Sequence, residues 1–204
     1  MSLIFFGDSL TEGSNSMYSF TDFLEPEYDV FNFGISGTTI GEYSIYPVDG
    51  HSLLNTYNTQ NIKEADYIFL EYGINDVSSI MCDFTDMNKV LISFVKALDG
   101  IKQLNNHAKI YFLSISSNYG IIEQYAECQC KYLSCDYFQD YDFIFPASIW
   151  AGLYQELIDK IGKKLLIIDM IEDVDFLDKY LSVDHLHPNA RGHKIIAKKI
   201  QWYL

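Results

Sequence analysis

Apolar residues along this chain fall into short dense runs, separated by longer stretches in which they recur every three or four positions. Five runs, Leu3 to Phe6, Tyr28 to Phe33, Tyr67 to Tyr72, Lys109 to Ile115 and Lys164 to Ile168, are rich in aliphatic and aromatic side chains. Their length and composition predict buried strands. Between them, Met87, Val90, Leu91, Phe94, Val95, Leu98, Ile101 and Leu104 mark one apolar face of a long helix, with Asp86 at its capping position. A second helix is expected from about Ser148 to Ile161, with Trp150, Leu153, Tyr154, Leu157, Ile158 and Ile161 on one side. A third carries Ile195, Ile196 and Ile200 and starts after Pro188 and Asn189, where a proline and a capping side chain are well placed. A further helix is expected around Met17 to Leu24.

Strands that alternate with helices predict the α/β class, with a mostly parallel sheet covered on both faces, because parallel neighbours need helical crossovers. The chain shows no internal repeat and no low-complexity tract. The stretch from Gly41 to Asn61, with Pro47, Gly50 and several Asn, Ser and Thr, reads as a loop over the site. The region from Cys128 to Pro146 follows no clear period.

Length and charge narrow the picture. A chain of 204 residues is expected to form one domain, 1–204, around one sizeable core. Its formal net charge is -14, from 28 acidic and 14 basic residues, so a phosphate backbone or an anionic bilayer is repelled by the average field. Nucleic acid is therefore not an expected partner, and a neutral small-molecule substrate fits better. The N-terminus runs directly into an apolar strand, without a basic leader or a small-residue cleavage site. No run approaches the roughly 18 apolar residues of a membrane span. The expectation is a cytoplasmic protein without membrane insertion.

Four cysteines, Cys82, Cys128, Cys130 and Cys135, are expected to be reduced thiols in a chain of this size. The spacing of Cys128, Cys130 and Cys135 lacks the paired C-x2-C of zinc ribbons and has no nearby histidine, so no metal site is expected. Sixteen Tyr and fourteen Phe suit either stacking surfaces for a sugar or acyl group, or simply the core.

Candidate chemistry lies just past the first three strands. Ser9 follows Gly7 by two residues, Gly37 follows Gly34 by three, and Asn75 follows Gly73 by two. In open α/β sheets ligands bind outside the carboxyl ends of the strands, so these loops should converge. Ser9, in Gly7-Asp8-Ser9-Leu10, can present a hydroxyl beside unpaired helix N–H groups, or it can merely cap a helix. The Gly37 N–H has no side chain in front of it, and Asn75 offers a neutral amide donor to the same oxygen, although both residues are also common in turns. Asp76 is placed to cap the segment that follows. Near the C-terminus, Asp184-His185-Leu186-His187-Pro188 sets a carboxylate three residues before an imidazole, close enough to orient it as a base; a charged surface turn would look the same. His51, His107 and His193 lack such a context, and His193 falls on the first turn of the last helix.

Taken together and in order, Gly7-Asp8-Ser9-Leu10, the block around Gly37, Gly73-Ile74-Asn75-Asp76 and Asp184-x-x-His187-Pro188 resemble the four motif blocks of SGNH hydrolases, the GDSL-type esterases and lipases. The resemblance spans residues 7 to 188. It implies a flavodoxin-like three-layer α/β/α sandwich with a five-stranded parallel sheet. It also implies Ser9 as nucleophile, His187 rather than His185 as general base and Asp184 as its orienting acid, with Ser9, Gly37 and Asn75 as the oxyanion hole. No metal or organic cofactor is implied. The expected activity is ester hydrolysis through an acyl-enzyme, on short acyl groups such as acetyl on a carbohydrate, with longer acyl chains of a lysophospholipid or thioester as the alternative. A non-catalytic nucleotide- or flavin-binding module is the competing class, but no Gly-x-Gly-x-x-Gly or Walker-type loop supports it.

Overall fold

The computed structural model of the protein describes residues 1–45, 51–58, 60–136, 146–173, 175–182, 184 and 186–204, and the side chains of 60 and 132–136 fall outside that description. Five strands, β1 (Ser2–Gly7), β2 (Asp29–Gly34), β3 (Tyr67–Glu71), β4 (Lys109–Ser114) and β5 (Leu166–Asp169), form one sheet in the order β2-β1-β3-β4-β5. Every neighbouring pair is parallel. Each of the five predicted runs overlaps one of these strands. The fifth starts two residues late, because Lys164 and Leu165 still bond back to Ile161 as the preceding helix unwinds.

The helices are α1 (Ser9–Glu12), α2 (Leu53–Thr56), α3 (Ile74–Met81), α4 (Met87–Leu104), α5 (Tyr119–Asp136), α6 (Ala147–Ile161), α7 (Asp175–Tyr180) and α8 (Ala190–Gln201). They flank the sheet as an α/β/α sandwich. The period of two along the strands decides which side chain meets which layer. Phe5 stacks on its strand partner Phe69, and Phe20 meets Phe5 edge-on, joining this face to the 3-10 turn Phe20–Phe23 that packs against α8. On the opposite face Phe112 meets Phe94 of α4 edge-on. β3 is buried at every position, as a central parallel strand must be.

Asp86 caps α4 by accepting the Lys89 N–H, and Asn189 caps α8 by accepting those of Arg191 and Gly192. Two expectations need correction. The helix placed around Met17 to Leu24 is absent: helix α1 begins at once at Ser9 and ends at Gly13, whose φ of 88° is left-handed, and a 3-10 turn capped by Ser19 follows at Phe20–Phe23. Helix α5, by contrast, was not expected. Its buried face, Ile121, Ile122, Tyr125, Ala126, Gln129 and Cys130, has helical spacing but includes an amide and a thiol that dilute the apolar signal. Of the tract from Gly41 to Asn61, residues 46–50 and 59 lie outside the described residues, as do 137–145 of the region from Cys128 to Pro146. Among the described residues, no helix is long and apolar enough to cross a membrane.

His193, on the first turn of α8, is fully buried beside Phe20, and neither ring nitrogen has a partner among the described residues. Burial, with help from the nearby His187, pushes its pKa down to about 4. The unfolded chain therefore binds a proton at this site between pH 6.5 and 4 that the folded chain refuses, so stability present above pH 6.5 is lost on acidification. Relative to a His193→Phe variant, the wild type should lose about 2 kcal/mol more between pH 7 and pH 5, measured by urea unfolding at both values.

Candidate active site

Gly7, the last residue of β1, is in register with Gly34 of β2 and Glu71 of β3, so the loops that follow leave the sheet at one edge. This is the switch point of the strand order, between β1 and β3, where open α/β sheets form their crevice. Asp8 is the N-cap of α1, and its Oδ1 accepts the Leu10 N–H at 3.0 Å. Ser9 is thus not the cap. As the first helical residue it leaves its hydroxyl uncommitted to the backbone, and Ser9 Oγ lies 2.8 Å from His187 Nε2.

The imidazole comes from a tight loop between α7 and α8. An isolated bridge pairs Leu181 with Pro188, Ser182 donates its N–H to His187 O at 2.7 Å, and Asn189 donates its N–H to Tyr180 O at 2.7 Å. Inside this loop Asp184 Oδ1 accepts the backbone N–H groups of Leu186 and His187 at 3.0 and 3.1 Å. Its Oδ2 lies 2.6 Å from His187 Nδ1. Burial alone would raise the Asp184 pKa, but the bonds from the His187 ring and the two backbone N–H groups outweigh it and hold the carboxyl well below its usual range. The structure therefore brings Ser9, His187 and Asp184 into one hydrogen-bonded line. His185 lies outside the described residues.

Gly37 and Asn75 stand at the same edge. Gly37 has a φ of 79°, which a side chain would strain, and its N–H, like that of Ser9, has no partner among the described residues. Asn75, at the start of α3, is buried, and its Nδ2 lies 2.9 Å from Thr38 O and 3.1 Å from Asp8 Oδ2. Its amide thus ties the loop after β2 to the residue before Ser9.

Three buried carboxyls lie behind this edge. Asp8 and Glu71 form a pair in which Glu71 Oε2 accepts the Asp8 N–H at 3.3 Å and the Thr11 hydroxyl at 3.1 Å. Burial drives both groups up, so the pair takes up protons far above the ordinary carboxylate range. The N-cap of α3 is Gly73, and Asp76, expected as the cap, instead lies inside the helix at its third residue. Its Oδ2 accepts the Gly73 N–H at 3.1 Å, while its Oδ1 accepts the Ile40 N–H and the Tyr43 hydroxyl, both at 3.0 Å. Burial pushes this carboxyl up to about 7 against the pull of those donors.

Sequence reasoning missed Asn15. Its Nδ2 lies 2.6 Å from Asp184 Oδ2 and 3.3 Å from His187 Nδ1. The available signal was an asparagine just past a glycine in a polar stretch, the residue type that best tolerates a left-handed turn. Among the described residues no group of three or more His, Cys, Asp or Glu could hold a metal ion. Cys82 and Cys128 are free thiols, Cys130 is buried, and the side chain of Cys135 lies outside the described residues.

The sequence pattern of the GDSL-like lipase/acylhydrolase family matches residues 5–195. The uncharacterized protein YpmR of Bacillus subtilis (strain 168) is 23% identical over 218 residues, covering 95% of this chain and 77% of its own length. The fold resembles that of the lipase Lip_vut3 from a goat rumen metagenome, with a TM-score of 0.64 at 18% identity, covering 99% of this chain and 96% of that one. It also resembles an acetyl xylan esterase, AlAXEase, with a TM-score of 0.61 at 16% identity and all of both chains covered.

Asp76→Ala strands three donors that now share one carboxyl. The variant should lose about 3 kcal/mol of stability, seen as a lower urea midpoint at unchanged slope, and Asp76→Asn, which keeps the volume and one acceptor, about half of that.

Proposed function

We propose, for a chain that belongs to the GDSL-like lipase/acylhydrolase family, that Ser9 is the nucleophile of a carboxylic ester hydrolase, with His187 as general base and Asp184 as its orienting acid. The observation that carries this reading is the continuous line from Ser9 Oγ to His187 Nε2 at 2.8 Å and from His187 Nδ1 to Asp184 Oδ2 at 2.6 Å. A carboxylate on Nδ1 holds the proton there and leaves Nε2 as the acceptor.

The steps follow from that tautomer. Ser9 Oγ bonds to the ester carbonyl carbon while its proton passes to His187 Nε2, and the carbonyl oxygen becomes an oxyanion. The ester C–O bond then breaks, and His187 returns the proton to the departing alcohol oxygen. Water attacks the acyl-enzyme while His187 takes a proton from it; as the second oxyanion collapses, the acyl C–Oγ bond breaks, the acid leaves, and His187 returns the proton to Ser9 Oγ.

The oxyanion is met by the N–H groups of Ser9 and Gly37, which are free of other partners among the described residues. Asn75 joins them by exchanging its 3.1 Å bond to Asp8 for one to the substrate oxygen, keeping its bond to Thr38. The two backbone donors need little rearrangement as charge develops, and each oxyanion-hole donor is worth about 3 kcal/mol of barrier.

Short acyl esters, acetyl on a neutral carbohydrate above all, are the proposed substrates. The net charge of -14 disfavours anionic ones, and an acetyl xylan esterase among the fold neighbours makes acetyl the first acyl group to try. Ser9→Ala should lower the rate on p-nitrophenyl acetate by at least about 10³-fold while leaving the unfolding midpoint nearly unchanged. In a series of p-nitrophenyl esters, rates should fall beyond four carbons; a maximum at eight or more would replace acetyl with a long-chain acyl group.

A further inference from the structure

We infer that Asn15 is a positioning residue: its amide, held by a left-handed turn on the segment that carries Ser9, grips Asp184 and so fixes how that carboxylate addresses His187. The inference rests on the reading of His187 as the general base. Two separate observations place Asn15 in this role.

The first is the turn itself. Helix α1 ends when Gly13 and Ser14 both donate their N–H groups to Ser9 O at 3.0 Å, and Ser16 then donates to Gly13 O at 3.1 Å. This folds the chain back on itself with Asn15 at a φ of 58°, one of two non-glycine residues with positive φ among those described. Such a conformation is strained for most side chains. Asparagine accepts it readily, but an exposed loop position with no task would as easily hold glycine.

The second is what the turn delivers. Asn15 Nδ2 donates to Asp184 Oδ2 at 2.6 Å, the same oxygen that the His187 ring approaches at 2.6 Å. The Ser182 hydroxyl, on the base loop, donates in return to Asn15 O at 3.3 Å. Four N–H donors thus surround the carboxylate: two backbone groups on Oδ1, and the imidazole with the Asn15 amide on Oδ2. Asn15 is the one donor among them that does not come from the base loop. It joins the segment bearing the hydroxyl to the segment bearing its base by a path that bypasses the imidazole.

The chemistry of a shared acceptor fixes the sign of its effect. A neutral donor on Oδ2 draws negative charge from the oxygen that would stabilise an imidazolium, and the positive edge of the amide lies only 3.3 Å from Nδ1. Asn15 therefore weakens the hold of that oxygen on a positive charge at the ring while fixing where the carboxylate stands. Among the described residues, the titratable groups that face or act on the ring are Asp184 from its own loop, Asp8 at the start of α1 and His193 from α8. All three remain in place when Asn15 is changed.

The test uses the whole chain with two variants, Asn15→Gly and Asn15→Asp. Glycine removes the amide yet takes positive φ without strain, and aspartate keeps the shape but sets a second carboxylate against Asp184. A fluorophosphonate probe counts the Ser9 sites that react, and kcat/KM for p-nitrophenyl acetate is followed from pH 5 to 9. Asn15→Gly should label to the wild-type stoichiometry, lose about tenfold on the kcat/KM plateau and move the midpoint of the acid limb to higher pH. Asn15→Asp should move the midpoint further in the same direction. A wild-type plateau and midpoint in Asn15→Gly would overturn the inference, and so would fewer labelled sites that each retain wild-type rate and midpoint. A wild-type chain whose Ser9 never reacts with the probe would instead count against the nucleophile assignment itself.

Discussion

The parallel pairing of β1 with β2 on one side and β3 on the other is the constraint from which the site follows. Because Gly7, Gly34 and Glu71 share one level of the sheet, three loops far apart in sequence begin from one line. Ser9, Gly37 and Asn75 lie only a few residues beyond it, so little chain is available in which their positions could wander. A register slip of one residue in either pair would turn every side chain of that strand to the opposite layer and break packing such as that of Phe5 on Phe69 and Phe20. The apolar interior and the polar edge are therefore specified together.

That edge is expensive to maintain. Asp8, Glu71 and Asp76 are buried carboxyls, and His193 is a buried imidazole without a hydrogen bond among the described residues. Each pays in stability for its burial. The carboxyls return part of it as order: Asp8 caps α1 and holds Asn75, Glu71 holds Asp8 and Thr11, and Asp76 clamps the loop at Ile40 and Tyr43 onto α3. Departures from an apolar core that cluster behind one edge are what a functional site demands of its scaffold.

The strands and long helices were legible in the sequence because their signals are local. Leu3 to Phe6 and Tyr67 to Tyr72 are dense enough to read as strands, and the step of Val90, Phe94 and Ile101 fits only a helix. The four motif blocks located the edge residues for the same reason, each being a few contiguous positions. Less visible were features that depend on contacts across the chain. The turn at Gly13 and Asn15 replaced an expected helix because left-handed residues, capping by Ser19 and packing of Phe20 on Phe5 outweigh local propensity. The grip of Asn15 on Asp184 joins positions 169 residues apart and leaves no periodic trace. Helix α5 escaped notice since its inward face includes Gln129, whose amide lies 3.4 Å from the Ser78 hydroxyl.

The separation of Ser9 from His187, 178 residues, also orders events in time. Ribosomes extend a chain at about 5–20 residues per second, so the hydroxyl precedes its imidazole by roughly 10 to 35 seconds. All five strands, ending at Asp169, are made before the loop at 184–187. A nascent or prematurely terminated product can thus carry every described strand of the sheet and still lack the imidazole that stands beside Ser9 in the finished fold. The contact between the two side chains waits on residues made only after the last strand, and it forms on a sheet that can already be complete.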